Sequence, residues 1–384
     1  MIDEKPTEEN KKPNGLLGIH ALEEQLIAEF PDFNPNSLNE TSNDLVVTSL
    51  QNVKEEKIDW MFNGIIAYGK ITLFAGDPAA GKSQLLLYIA GLKSTGGSFH
   101  YDTQLTKPGK VLLISGEDRA EDTIKPRLMA LNADLNNISI IKGVKKYDIG
   151  GNEYLEAVQL TEHLIEIEEE IKKNKYELII IDPISLHLGK IDNDKMSDVR
   201  SILGILTALA ERNNLAILLN SHFSKQSNNP NKSAVKSVMG SLGWTAGCRI
   251  VYGVFKDPED PRRRLLTPIK NNIAAEEGGL IYEIESVFIG DGIKTSRVKW
   301  LDEKTTESAD SLINSKRAAP KRNECKEWLK EKLKNRDAFV TDIRKEAEKL
   351  SWKAPVLYAA RDELNVIEDE VFLGNYRRKI WKLP

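Results

Sequence analysis

The chain has 384 residues and carries 54 Lys and Arg against 58 Asp and Glu, a formal net charge of −4. Hydrophobic residues make up 40% and charged residues 29%, the composition of a soluble globular protein of two or three domains. No apolar run approaches the roughly 18 residues of a membrane span, the start lacks a signal-peptide core, and Cys248 and Cys325 lack metal-ligand spacing. These features exclude membrane-spanning and disulfide-framework proteins and predict a cytoplasmic location.

Charge is distributed unevenly along the chain. Residues 1–60 hold 5 basic and 13 acidic side chains, whereas residues 316–384 hold 18 basic and 12 acidic ones. The polar composition of residues 1–57 predicts a largely disordered or loosely packed region. The basic C-terminal end is the more natural nucleic-acid surface, because local patches rather than net charge bind phosphate.

The first strong motif follows an apolar run at residues 71–75 and precedes a helical run at residues 84–92. It is a phosphate-binding loop of eight residues: Gly76, Asp77, Pro78, Ala79, Ala80, Gly81, Lys82 and Ser83. In such a loop the backbone N–H groups surround the phosphates, Lys82 reaches the β and γ oxygens, and Ser83 ligates Mg²⁺. With Gln84 included, the motif predicts a site for ATP and Mg²⁺. The alternative is a glycine turn in an unrelated fold.

A second apolar run, residues 111–114, leads into Glu117 and Asp118. Glu117 is placed to act as the general base that orients the attacking water, since phosphoryl transfer to water needs mainly positioning and charge stabilisation. Alternatively, Glu117 caps the helix predicted over residues 120–131, where acidic residues are favoured in any case. Asp118 is the stronger candidate for that cap.

A third apolar run, residues 178–181, ends in Asp182 and is stopped by Pro183. A continuous apolar run of this kind predicts a parallel strand covered on both faces. Asp182 then lies at the carboxyl end of the strand, where ligands of open α/β sheets bind, and its predicted role is to hold Mg²⁺ through water. The alternative is a strand that merely ends in Asp.

A fourth predicted strand, residues 215–220, leads to His222, which can sense a γ-phosphate by hydrogen bonding if it lies beside the nucleotide. A lone His is otherwise structural. The polar segment that follows, residues 225–236, predicts a mobile loop. Further on, residues 280–287 and 295–300 predict an antiparallel hairpin.

The last sixty or so residues are typical of a winged helix. Helices are predicted at residues 323–334, 343–350 and 355–364, with Thr341 and Asp342 as a cap. Arg377 and Arg378 lie at the base of the predicted wing and would contact mostly phosphate. The helix at residues 355–364, which would be the recognition-type helix, offers only Tyr358 and Arg361 for DNA. Sequence-specific binding is therefore doubtful, and a protein-binding role is the alternative.

Taken in chain order, these motifs resemble those of RecA-like ATPases related to plasmid RepA, a ring-shaped replicative helicase. The resemblance covers residues 58–301 and adds residues 240–243, 257–261 and 268–272 to the motifs above. It implies an α/β fold with a RecA-like P-loop core and a central, mostly parallel sheet. The domains expected are the N-terminal region 1–57, the ATPase core 58–304, a linker 305–321 and a winged-helix-like domain 322–384.

The resemblance also implies an ATP site between subunits, completed by an arginine finger from a neighbour. The matching residue is Arg249, which could instead be structural, and Lys256 is its competitor. Arg127 has a weaker claim, to orient Glu117. In RecA-like rings the loop after the fourth strand faces the central channel, where its lysines would track single-stranded DNA. Those lysines are Lys225, Lys232 and Lys236; a plain solvated loop is the alternative.

The sequence therefore predicts an ATP-hydrolysing, ring-forming motor, a hexamer by resemblance, that translocates on single-stranded DNA. A replicative helicase of a plasmid, phage or integrated element is the favoured function, with a primase or initiator protein as a possible partner. One alternative is a recombination or repair ATPase that does not unwind DNA. Another is a nucleotide-switched DNA-binding regulator, against which Glu117 argues, because a switch needs no carboxylate to position water.

Overall fold

The computed structural model describes residues 47–224, 233–240, 242–275, 278–334, 337–350, 352, 354–373 and 376–384. The chain divides into two compact units, Met1–Lys57 and Ile58–Pro384. In the first unit, the described residues contain one exposed 3₁₀ turn, Leu50–Asn52. Residues 1–46, most of the region for which the composition predicts disorder, lie outside the described residues.

The second unit alternates strands and helices in its first two thirds. Its elements up to the middle of the chain are β1 (Trp60–Phe62), β2 (Ile66–Ala67), β3 (Ile71–Gly76), α1 (Lys82–Thr95), β4 (Lys110–Ser115), α2 (Lys125–Ala130), β5 (Ile138–Ile141), β6 (Val144–Tyr147), β7 (Glu153–Glu156), α3 (Leu164–Asn174) and β8 (Tyr176–Asp182). They continue with α4 (Met196–Asn213), β9 (Ala216–His222), α5 (Gly243–Gly247), β10 (Ile250–Lys256), β11 (Arg263–Asn271), β12 (Gly279–Ile289) and β13 (Ile293–Thr305).

Nine of these strands form one sheet in the order β13-β12-β11-β10-β3-β9-β8-β4-β5. The strands from β10 to β5 run parallel, and β11, β12 and β13 extend the sheet antiparallel at one edge. The sequence-based expectation of an α/β fold with a central, mostly parallel sheet is therefore confirmed. The four apolar runs identified in the sequence correspond to β3, β4, β8 and β9.

A hydrophobic core covers each face of this sheet, which explains why the central strands are continuous apolar runs rather than alternating ones. On one face, Leu73 packs with buried residues of α3 and α4. On the other face, Phe74 packs with buried residues of α1 and α2. Because both faces are covered, polar side chains of the central strands are concentrated at the strand ends.

The strand register brings four of those ends to one edge. Gly76 at the end of β3 lies opposite His222 of β9 and Val254 of β10. Asp182 at the end of β8 lies opposite Ser115 of β4. We call this the carboxyl edge of the sheet, and it is where an open α/β sheet binds its ligands.

The predicted hairpin is present as β12 and β13, which pair antiparallel from Gly279 opposite Thr305 to Ile289 opposite Ile293. Its turn is Gly290–Gly292, in which Asp291 has a φ of 60°. Since β12 is antiparallel to β11, and β11 to β10, the hairpin projects beyond the carboxyl edge. It therefore extends the sheet on the side where the phosphate-binding loop lies.

The expected polar linker over residues 305–321 is wrong. A single 25-residue helix, α6 (Ala309–Leu333), runs through it. Ser308 caps this helix by accepting a hydrogen bond from the backbone N–H of Ser311. The first turns pack into the sheet core through Leu312 and Ile313, and the last turns enter the C-terminal core through Leu329. Burial at both ends outweighs the helix-breaking tendency of Pro320, which lies within the expected linker.

The C-terminal region packs around its own core. It contains β14 (Ala338–Phe339), α7 (Val340–Lys349), α8 (Ala354–Glu363), β15 (Ile367–Leu373) and β16 (Tyr376–Lys382), with a sheet order β14-β16-β15. Trp381 is fully buried there. The predicted Thr341–Asp342 cap is wrong, because α7 already begins at Val340 after Phe339, with no side-chain cap. No helix in the described parts of the chain is long and apolar enough to cross a membrane.

Candidate functional site

The phosphate-binding loop joins β3 to α1 at the carboxyl edge, as the sequence predicts. Gly81, immediately before the helix, has a φ of 98° and Ala79 has a φ of 57°, so the loop needs left-handed backbone at two positions. Gly76 is required for another reason, since a Cβ there would collide with the Val254 carbonyl oxygen of the neighbouring strand. The loop thus has the tight turn and close strand approach of a phosphate cradle.

Lys82 lies inside this loop. Its side chain is buried, and Nζ donates to the carbonyl oxygens of Gly76 at 3.0 Å and Asp77 at 2.9 Å. The same Nζ is 3.3 Å from Nδ1 of His222. The ammonium group is therefore held at the mouth of the loop, between the strand that carries the loop and the neighbouring strand β9.

The contact with Lys82 defines the state of His222. Burial lowers the pKa of His222, and the charge of Lys82 lowers it further. Because an ammonium group can only donate, Nδ1 of the neutral ring accepts, and the ring proton is on Nε2. The imidazole can then donate one hydrogen bond to an anion placed at the loop.

Asp182 is the buried carboxylate of the site. The side-chain amide of Asn220 and the hydroxyl of Ser83 both donate to it. Burial nevertheless raises the pKa of the Asp182 carboxyl, because these bonds do not replace a full counter-charge. The adjacency of Ser83 and Asp182 across the α1–β8 contact was expected from the sequence, whereas the part played by Asn220 was not.

The donor set fits Mg²⁺. Ser83 and Asp182 offer the hydroxyl and carboxylate oxygens that this ion prefers, and Asn220 Oδ1 is buried without a hydrogen-bond partner in the described residues. No group of three or more His, Cys, Asp or Glu side chains in the described residues could hold a metal by itself. The ion would therefore need water and phosphate oxygens to complete its shell. Next to Ser83 and Asp182 lies a cavity of about 20 Å³, enough for one water molecule.

Glu117 lies in the same cluster. It follows β4, whose last residue Ser115 pairs with Asp182, and its side chain is exposed. Its negative charge adds to the rise in the pKa of Asp182 and opposes the lowering of the pKa of His222. Glu117 therefore lies within electrostatic range of both residues. An exposed carboxylate beside a buried magnesium-type site is accessible to a water molecule.

The expectation that Asp118 caps the next helix is wrong. That helix opens with a π-helical turn, Ala120–Ile124, which follows Arg119 and has no side-chain cap. Asp118 instead accepts a hydrogen bond from Arg127 Nη1 at 2.7 Å. Arg127 therefore pairs with Asp118, and not with Glu117 as proposed for it from the resemblance.

Gln84 and the end of β12 enclose the start of α1. The side-chain amide of Gln84 donates to Ser296 Oγ of β13 at 2.6 Å, so it faces the hairpin. The hydroxyl of Tyr282 donates to the Gly81 carbonyl at 3.3 Å. This support by Tyr282 could not be found from the sequence, because it depends on how β12 joins the sheet.

Arg249 and Lys256 lie at opposite ends of β10. Arg249 is exposed and immediately precedes β10, whose first residue, Ile250, pairs with Thr72 near the start of β3. It lies five residues along the strand from Val254, which is level with Gly76, and at roughly 3.3 Å per residue this is about 16 Å. Lys256 is exposed at the carboxyl edge of its own subunit. Arg249 thus lies on the side of the sheet away from its own phosphate loop.

Of the loop lysines, Lys225 and Lys232 lie outside the described residues, and Lys236 is exposed on a 3₁₀ turn, Ala234–Lys236. The foot of the loop is attached to the end of β9. The backbone N–H of Met239 donates to the His222 carbonyl at 2.7 Å, and that of Ser224 donates to the Ser237 carbonyl at 2.8 Å. The loop is therefore connected directly to the histidine that contacts Lys82.

Basic side chains of the C-terminal region already contact other side chains of that region. Arg377 forms an ion pair with Glu370 on the paired strand, and the guanidinium of Arg378 lies 5.4 Å from the Phe339 ring centre. On α8, Arg361 pairs with Asp362 and stacks on Tyr358. The residues expected to contact DNA phosphate thus already have partners in the protein.

The chain is similar to known proteins. A family model described as an AAA domain matches residues 35–228, half of the chain. The DNA repair protein RadA of Streptococcus pneumoniae is 25% identical over 262 residues, 67% of this chain and 52% of its own length. The RadA proteins of Campylobacter jejuni (29% over 177 residues; 45% of this chain, 32% of theirs) and Synechocystis (23% over 232 residues; 59% and 41%) are also similar.

The chain spans about half the length of the curated relatives it matches, or less. The range matched by the family model, residues 35–228, contains β3, the phosphate-binding loop and the strands that lead to Glu117, Asp182 and His222. The strand order and the position of the loop are those of a RecA-like P-loop core. The chain belongs to the AAA domain family.

Proposed function

We propose that the chain is an ATPase that acts on single-stranded DNA. The observation that carries the proposal is the convergence of Lys82, Ser83, Asp182, His222 and Glu117 at one edge of the sheet. The first two residues belong to a phosphate cradle, and the others supply a metal ligand, a hydrogen-bond donor and a candidate base. This is the set that hydrolysis of a nucleoside triphosphate requires.

In the proposed mechanism, Ser83 and Asp182 would hold Mg²⁺, which would supply positive charge beside the phosphate oxygens. Lys82 leaves its carbonyl partners to bind the β- and γ-phosphate oxygens. Glu117 accepts a proton from the attacking water, and Nε2 of His222 donates to the γ-phosphate. These groups are held at the ends of the strands and at the start of α1, so little reorganisation of the backbone is needed during the reaction.

The attachment of the loop to His222 supports a link to DNA. If the loop binds a DNA strand through Lys225, Lys232 and Lys236, its foot at Ser237 and Met239 shifts against β9. That shift would be transmitted to the imidazole beside Lys82. Binding of single-stranded DNA would then change the rate of hydrolysis.

Assembly is part of the proposal. Because Arg249 lies away from its own phosphate loop, a role in hydrolysis requires the site of a neighbouring copy. A ring, a hexamer by resemblance, would supply one such arginine to each site. The winged-helix-like region would then bind a partner protein such as a primase or initiator in preference to DNA, because Arg377 and Arg361 already form ion pairs.

A DNA helicase related to plasmid RepA is the specific function that we propose. The similarity to RadA proteins favours a second candidate, a recombination or repair ATPase that binds DNA without unwinding it. Two measurements separate them. Steady-state ATP hydrolysis with and without single-stranded DNA tests the shared ATPase, and strand displacement on a forked duplex tests the helicase.

We expect single-stranded DNA to stimulate hydrolysis. In the presence of Mg-ATP, light scattering should give the mass of a multi-subunit assembly, six subunits for a hexameric ring. Stimulated hydrolysis without displacement would support the repair ATPase instead. If wild-type protein binds nucleotide but does not turn it over, a nucleotide-switched regulator replaces both. If Lys82→Ala binds ATP as wild type does, the site itself is misassigned.

A further inference from the structure

Arg264 lies beside the phosphate-binding loop on strand β11. It is paired in register with Lys256 of β10, two residues past Val254, which itself pairs with Gly76. Arg264 is therefore placed just beyond the end of β3, on the side of the sheet where the loop turns into α1. Nothing in the sequence motifs marks this position.

The side chain of Arg264 packs against the loop. A Cβ built on Gly81 would lie 3.6 Å from Arg264 Nε and 3.3 Å from the hydroxyl of Tyr282. Nη1 donates to the carbonyl oxygens of Pro261 at 2.6 Å and Arg263 at 2.9 Å, which fixes the guanidinium over the loop. Nε is buried and makes no hydrogen bond within the described residues.

Arg264 differs from the two arginines that precede it, because each of those has an acidic partner. Arg262 pairs with Asp260 at 2.7 Å, and Arg263 pairs with Glu303 at 3.1 Å. Within the described residues, Arg264 has no acidic partner at ion-pair distance. Its charge is nevertheless felt locally, since it opposes the rise that burial causes in the pKa of Tyr282.

A half-buried guanidinium without a counter-charge is unfavourable unless an anion completes it. The Nε–Nη2 edge, which Nη1 leaves unused, is the edge with which arginine binds a carboxylate or phosphate through two parallel hydrogen bonds. The anion expected at Gly81 and Lys82 is a nucleotide phosphate. We propose that Arg264 binds the phosphate groups of the nucleotide held by its own subunit, as a second basic ligand beside Lys82.

This inference rests on the proposed nucleotide site and extends it. It differs from an arginine finger, because Arg264 acts in its own subunit and is present before assembly. A subunit that cannot assemble would therefore still need Arg264 to bind ATP. The alternative is that Arg264 only supports the loop through its packing on Gly81. In that case keeping the positive charge, as in Arg264→Lys, would not restore ATP binding that is lost in Arg264→Gln.

The test is titration of a fluorescent ATP analogue with Mg²⁺ against wild type, Arg264→Gln, Arg264→Lys and Lys82→Ala. Arg262→Gln is the matched control. It also removes a guanidinium group from this part of the chain, but from an arginine whose charge Asp260 already neutralises. Losing a charged, doubly bonded ligand should weaken binding by about 10- to 100-fold in Arg264→Gln. Arg264→Lys should recover part of the loss as a point charge, and Arg262→Gln should bind within about twofold of wild type.

Thermal unfolding without nucleotide should give the same midpoint for Arg264→Gln and Arg262→Gln. The inference is overturned if Arg264→Gln binds the ATP analogue as tightly as Arg262→Gln does. It is also overturned if Arg264→Lys binds the analogue as weakly as Arg264→Gln and both variants unfold at a lower temperature than Arg262→Gln. Either result would leave the proposed function intact, provided that Lys82→Ala loses binding. If wild type itself binds no nucleotide, the proposed function fails first.

Discussion

Nζ of Lys82 lies 3.3 Å from Nδ1 of His222, where the end of β3 meets the end of β9. This contact requires a neutral imidazole, because a protonated ring would place two positive charges side by side. The lowered pKa of His222 agrees with that requirement. The phosphate-binding lysine and the foot of the predicted DNA loop are thus linked through one side chain.

We expect His222→Ala to keep ATP binding and to slow hydrolysis by about a hundredfold, the effect of losing one well-placed donor to developing charge. His222→Gln should recover part of the rate, since its amide can still donate. His100→Gln is a control, because His100 binds the Leu301 carbonyl. Because burial and the charge of Lys82 lower the pKa of His222, any fall in rate caused by protonation of this ring should occur at lower pH than for an ordinary imidazole. An unchanged rate in His222→Ala would remove the sensor role.

Glu117→Gln should bind ATP normally and lose turnover, because it removes the base and leaves the cradle intact. The control is Glu121→Gln, an exposed carboxylate on the adjacent π-helical turn that contacts Lys142. Steady-state phosphate release and nucleotide titration measure the two effects separately. Hydrolysis by Glu117→Gln at the wild-type rate would show that another group activates the water.

Arg249→Ala should leave nucleotide binding nearly intact and reduce hydrolysis at least several hundredfold, the scale of a lost arginine finger. Mixing it with Lys82→Ala tests action between subunits, since one subunit then offers an intact cradle and the other an intact arginine. Some turnover should return in mixtures shown to co-assemble. Without recovery, Lys256, which lies at the carboxyl edge of its own subunit, becomes the stronger candidate.

Much of the site could be predicted from the sequence, because continuous apolar strands that end in polar residues mark the carboxyl edge of a parallel sheet. Lys82, Asp182 and His222 follow from that rule. Asn220 and Tyr282 do not, since their contacts with Asp182 and Gly81 depend on strand neighbours far apart in the chain. The linker prediction failed for a similar reason, because local helix-breaking signals were outweighed by burial at the two ends of α6.

Changing Lys225, Lys232 and Lys236 together to Ala should weaken single-stranded DNA binding and reduce its salt dependence. Each lost phosphate contact removes up to about 0.7 from the log–log slope for single strands. Basal hydrolysis should survive, whereas stimulation by DNA should fall. The matched control is Lys142, Lys145 and Lys146 to Ala, three lysines on or near β6. If the control loses as much DNA binding as the loop variant, the loop is not the DNA site.

Two truncations distinguish the beginning of α6 from the C-terminal region. Ala309, Leu312 and Ile313 belong to the core of the sheet, and Asp310 accepts a hydrogen bond from the backbone N–H of Ala234 at the foot of the loop. A chain ending at Thr305 loses all of these contacts. It should unfold at a lower temperature and lose stimulation by DNA, because burial and the loop attachment are removed together.

A chain ending at Asn314 keeps those contacts and removes the C-terminal region. It should hydrolyse ATP, assemble and respond to single-stranded DNA as the full chain does, while losing the partner that the C-terminal region binds. Thermal unfolding, light scattering and DNA-stimulated hydrolysis of both truncations provide the comparison. If the chain ending at Asn314 loses single-stranded DNA while the loop variant retains it, the basic C-terminal region is the principal DNA-binding surface. In that case the ion pairs of Arg377 and Arg361 must open when DNA binds.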